Sequence, residues 1–75
     1  MKYRVVFEFQ SEDSAMSDVY NCKDEQAAQE KFAELRDSLE HAVDAASCEI
    51  IDQSSHYSII NRQEGIYGYV RLLDD

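Results

Sequence analysis

From residue 24 to residue 46 the chain keeps a helical period. Ala28, Phe32, Leu35, Leu39, Ala42 or Val43, and Ala46 recur at spacings of three and four. Apolar residues so spaced line one side of an α-helix, and that side must be buried against another element. Asp24 is placed to accept from the free N–H groups of the first turn, and Glu25 suits the positive end of the helix dipole. Together these signals predict an amphipathic helix of about 20 residues, roughly 30 Å long. The alanines on or beside the stripe allow a close approach to a sheet.

On both sides of this segment the period drops to two. In Lys2 to Gln10, residues Tyr3, Val5, Phe7 and Phe9 point one way and Lys2, Arg4, Glu8 and Gln10 the other, with Val6 the exception. Such alternation of aromatic and β-branched residues describes a half-buried strand. Ser11 to Ser14 is polar and turn-like. Ala15 to Cys22 is a returning strand with Met16, Tyr20 and Cys22 on one face, which Asp18 interrupts. Beyond the helix, Cys48 to Asp52 and Tyr57 to Asn61 are short apolar runs. Residues 61–65 form a hairpin loop in which Gly65 can take positive φ. In the last segment Ile66, Val70 and Leu72 oppose Tyr67, Tyr69 and Arg71. The expected architecture is α+β: one domain over residues 1–75, with an antiparallel sheet backed by one long helix in the order β-β-α-β-β. The sheet has four strands, with a fifth short strand as the alternative. Proline is absent and Gly65 and Gly68 are the only glycines, so short turns and no flexible linker are expected. A core built from 75 residues leaves little stability margin, which favours a dimer or a partner-bound state.

The charge is as unevenly distributed as the period. Residues 12–52 hold twelve acidic groups against three basic ones, which accounts for the whole net charge of -9. The four acids and four bases elsewhere cancel. Glu30, Glu34, Asp37 and Asp44 follow one another at spacings of four, three and seven along the helix face opposite the apolar stripe, and Glu40 borders them. Like charges at such spacings oppose helix formation by about 0.2–0.5 kcal/mol per pair. Lys31 can pair with Glu34 and Arg36 with Glu40, but two bases do not neutralise the row. Glu12, Asp13 and Asp18 form a second acidic group.

Other chemistry is thinly represented. Cys22 and Cys48 belong to no C-x-x-C pattern and read as reduced thiols, with a disulfide across the helix as the lesser alternative. Zinc on Cys22, Cys48, His41 and His56 lacks the short spacings of structural sites. His41 beside Glu40 is an exposed helix histidine before it is a pH sensor. His56 after Ser54-Ser55 has no identifiable third group or oxyanion hole to make a hydrolase. No catalytic, cofactor-binding or metal residue is expected, and no enzyme activity. No apolar run reaches the ~18 residues of a membrane span. Met1-Lys2-Tyr3-Arg4 begins a strand rather than a secretion signal, so a cytoplasmic setting is expected. An acidic chain repels phosphates, so direct nucleic-acid binding is not expected.

In length, single domain, the acidity of residues 12–52 and the row Glu30, Glu34, Asp37, Asp44, the chain resembles the small acidic inhibitor proteins of phages and mobile elements, above all anti-CRISPR proteins. The resemblance is one of overall character and includes no motif. It implies a non-catalytic antagonist that occupies the nucleic-acid-binding surface of a bacterial defence complex in the host cytoplasm. Carboxylates spaced about 4.5–6 Å apart along a helix imitate a phosphate backbone and suit a basic, nucleic-acid-handling partner. Glu30, Glu34, Asp37, Glu40 and Asp44 would then carry the docking. Tyr67, Tyr69 and Arg71 would supply apolar anchorage or a homodimer contact. The alternative is a small structural or adaptor protein that assembles through its sheet face, its helix charge serving solubility.

Overall fold

Asp24 does cap the helix. Its backbone is extended (φ -151°, ψ 174°), its carboxylate accepts from the Ala27 N–H at 2.8 Å, and its carbonyl accepts from Ala28 at 3.1 Å. From there α1 runs Glu25–Ala42 in a computed structural model that describes residues 3–74, with Ala45 described in its backbone alone. Lys2, expected to open the first strand, lies outside the described residues. Ahead of the helix stand β1 (Tyr3–Gln10) and β2 (Ala15–Cys22). After it come a 3-10 turn (Ala45–Ser47), β3 (Glu49–Gln53), β4 (His56–Asn61) and β5 (Ile66–Asp74). The expected order β-β-α-β-β is corrected to β-β-α-β-β-β, because residues 49–53 and 56–61 form separate paired strands.

The five strands make one antiparallel sheet in the order β2-β1-β5-β4-β3. The first hairpin builds one half, α1 carries the chain to the far edge, and the meander β3-β4-β5 returns until β5 pairs with β1. Val5 and Phe7 of β1, Val70 of β5, and Tyr57 and Ile59 of β4 meet Ala28, Phe32, Leu35 and Leu39 of α1. Ile59, Val5 and Val70 are fully buried, and Leu39 is 1% exposed. Gly68 sits directly beneath the helix. A Cβ there would lie 2.6 Å from Leu39 Cδ1 and 3.3 Å from the Glu8 carbonyl oxygen, so the close approach needs glycine. In the β4–β5 loop, Gly65 takes φ +67° as expected.

The helix stops sooner than its period suggests. Val43 is extended, and Asp44 turns its own groups to local use. The Asp44 carboxylate accepts from Ala46 N at 3.3 Å and from Ser47 Oγ at 2.9 Å, and its carbonyl accepts from Ser47 N at 3.0 Å. Side-chain bonds of this kind compete with the helical ladder and close a 3-10 turn instead. Cys22 ends β2 at one edge of the sheet and Cys48 precedes β3 at the other, both as free thiols, so the alternative of a disulfide across the helix falls away.

Candidate partner-binding surfaces

Glu30, Glu34, Asp37 and Glu40 are all exposed on the side of α1 turned away from the sheet. At 1.5 Å per residue the four span about 15 Å of the helix axis. The bases of the helix lie at the margins of this face. Lys31 Nζ is 3.2 Å from Glu34 and sits 4.8 Å over the Tyr20 ring, on the β2 flank. Arg36 does not take Glu40, the partner expected from spacing. Its Nη2 lies 2.8 Å from Asp52 Oδ2 on β3, and its guanidinium lies 5.1 Å over the Tyr57 ring. A planar cation gains more from a carboxylate and an aromatic face together than from an exposed carboxylate one turn along. Arg36 is thereby drawn toward the sheet, and the outward face carries the carboxylates with Gln26, which donates to Glu30 at 3.4 Å, and His41. His41 donates from Nδ1 to the Asp37 carbonyl at 2.7 Å.

Asp44 is exposed but lies past the end of α1, with its carboxylate engaged in the 3-10 turn. Glu12 and Asp13 lie in the β1–β2 loop, where Ser11 N donates to the Ser14 carbonyl at 2.8 Å. Asp18 is separate from them, about 10 Å along β2 from the first residue of that strand. Its face is the helix side, yet α1 does not reach over β2 there. An apolar groove of about 350 Å³ runs between them, floored by Phe7, Phe9 and Leu39 and walled by Met16, Asp18 and Ser38. Ser38 stands one turn beyond Glu34, so groove and acidic face adjoin. Reading the residues alone missed this groove, although an Asp interrupting the apolar face of β2 was its sign.

The reverse side of the sheet carries no helix. Register places Arg4, Val6 and Glu8 of β1 beside Tyr67, Tyr69 and Arg71 of β5 on this open face, the grouping expected from alternation. Tyr69 stands at its centre. The hydroxyl donates to the Glu8 carboxylate, the ring stacks on His56 with centroids 6.0 Å apart, Tyr67 lies 5.9 Å away, and Arg71 lies 5.7 Å over the ring. The hydrogen bond to Glu8, followed by burial, raises the Tyr69 hydroxyl above the usual tyrosine range. Around it Val19, Ile51 and Tyr67 are 55%, 48% and 39% exposed.

Arg71 Nε donates to His56 Nδ1 at 3.4 Å on the open face. Burial, then Asp44 and Glu64, pushes the Cys48 thiol up, away from the reactive thiolate. Among the described residues no three His, Cys, Asp or Glu side chains gather to hold a metal, and no helix is long and apolar enough to cross a membrane. Comparison with protein-family models, with curated proteins and with solved structures gives no match.

Proposed function

We propose that the chain is a small non-catalytic binding protein whose acidic helix docks on a basic, nucleic-acid-handling partner and blocks it. The observation that carries this reading is the segregation of charge on α1. Arg36 is held against Asp52 and Tyr57, and Lys31 lies over Tyr20 and reaches Glu34 at 3.2 Å from the margin of the row, while Glu30, Glu34, Asp37 and Glu40 are all exposed. A helix shaped only for stability mixes its signs on the solvent side. A one-signed row about 15 Å long, repelling itself, is instead suited to an opposite charge of similar pitch. A nucleic-acid groove has such a charge, and the chain acts there as a mimic of the phosphate backbone. The overall resemblance to anti-CRISPR proteins supports a partner within a bacterial defence complex. Association of this kind is fast and steered over long range, and salt weakens it.

Reversing Glu30, Glu34 and Asp37 together to Lys tests the reading. Wild-type protein immobilised in a bacterial lysate captures a nucleic-acid-binding complex at low salt and releases it as sodium chloride rises. The triple variant captures none while its circular dichroism stays native. Capture that survives the reversal, or that is indifferent to salt, overturns the proposal.

A further inference from the structure

The open face of the sheet differs from the rest of the molecule in charge. Register puts Glu8 and Glu49 on it, whereas Asp18, Asp52 and Asp74, the other acids of the strands, face the helix side. Arg4 and Arg71 balance those two acids. A chain of net charge -9 therefore has one broad face with no net charge, and Val19, Ile51 and Tyr67 stand exposed there. Five strands about 4.8 Å apart and about seven residues long give a face of roughly 24 Å by 24 Å. Two such faces, with protruding side chains, bury about 1,100–1,400 Å², within reach of the smaller specific interfaces.

We infer that a second copy of this chain covers the open sheet face, forming a twofold dimer with the sheets face to face and the acidic helices outermost. The electrostatics select this arrangement. Two copies meeting through α1 would bring like carboxylate rows together, whereas the sheet faces offer apolar groups with balanced charge and keep the rows as far apart as the molecule allows. A patch bearing both Arg71 and Glu8 can also complement itself about a twofold axis. This dimer is independent of the proposed docking by α1, and both helices remain free in it.

Sedimentation equilibrium of the full chain in sodium chloride tests the inference. At concentrations up to about 1 mM, where even weak interfaces associate, the mass should approach twice 8.7 kDa. Salt should strengthen the association several-fold, since it screens the residual repulsion between copies. This is opposite in sign to the capture of a basic partner. Val19→Lys and Tyr67→Lys replace exposed residues and reduce the repulsion, yet each should weaken the dimer about tenfold or more by burying a charge beneath the second copy. Asp37→Lys, on the opposite side, should strengthen it. A mass of 8.7 kDa at every salt and concentration overturns the inference. So does a dimer that Val19→Lys and Tyr67→Lys leave intact, which would show that copies meet elsewhere.

Discussion

Tyr69 concentrates several interactions in one side chain of the central strand. Its ring is flanked by His56, Tyr67 and Arg71, and its hydroxyl donates to Glu8 on the neighbouring strand. Hydrogen bonding to a carboxylate favours the neutral phenol, and partial burial favours it further, so the folded hydroxyl titrates above the ordinary value of 10.0. The sign of the linkage follows. Stability from this group is present in full below pH 10 and is lost as pH rises through the higher folded value. Tyr57, raised chiefly by burial, adds to the same alkaline loss. Replacing Tyr69 with Phe keeps the ring contacts and removes the titrating group. The variant should be about 1 kcal/mol less stable near neutrality for want of the hydrogen bond. It should then lose less stability than the wild type when the pH is taken above 10. Urea unfolding at neutral and alkaline pH measures both, and equal alkaline losses would show that Tyr69 is not the group responsible.

At the scale of elements, α1 couples two demands that pull apart. Its inner side is specified by Ala28, Phe32, Leu35 and Leu39, all buried, while its outer side repels itself. Asp37 stands three residues from both Glu34 and Glu40. Asp37→Lys would turn two repulsions into attractions, place a better helix former in the interior, and put a cation toward the negative end of the dipole. The helix should gain about 0.5–1 kcal/mol. A higher urea midpoint with weaker partner capture is the expected pair of results, and a lower midpoint would mean that the row is not repulsive. The same helix illustrates what can be read from residues alone. Its start, stripe and outer row were legible because capping and the 3.6 period are local properties, and β1 and β5 likewise through alternation. Its end was not, since Asp44 chose between continuing the helix and bonding Ala46 and Ser47, a contest that spacing does not record. The strand count was uncertain because β3 is an exposed edge strand whose Ile50 and Ile51 give no alternation. The pairing of Arg36 with Asp52 depends on β3 lying beside the helix flank, sixteen residues away in sequence. The open tyrosine face was legible because a single helix can cover only one side of a sheet.

As a whole the molecule is an elongated body about 40 × 21 × 17 Å. Its radius of gyration of 12.4 Å exceeds the roughly 11.4 Å typical of this length, as its long axis requires. At about 0.01 M salt the screening length, near 30 Å, exceeds the two shorter dimensions of the molecule, so most acids of residues 12–52 repel one another. At about 1 M it falls to near 3 Å and leaves only immediate neighbours in contact. Unfolding separates these charges, and repulsion therefore lowers the stability of the folded chain at low salt. Raising sodium chloride across this range should stabilise the protein by about 1 kcal/mol or more, read as a rising urea midpoint. Sodium chloride suits the test because more strongly excluded salts such as sulfate would also strengthen apolar burial. The comparison that isolates the acidic row is the triple reversal of Glu30, Glu34 and Asp37 to Lys. Each reversal adds two charge units, taking the net charge from -9 to -3. If the row is the main source of strain, the variant's stability should be nearly flat in salt and higher than wild type at the low end. An unchanged salt slope would place the repulsion in the acids outside the row, Glu12, Asp13 and Asp18 among them. The helix face would then be no more strained than an ordinary solvated surface, and the argument for docking from self-repulsion would lose its footing.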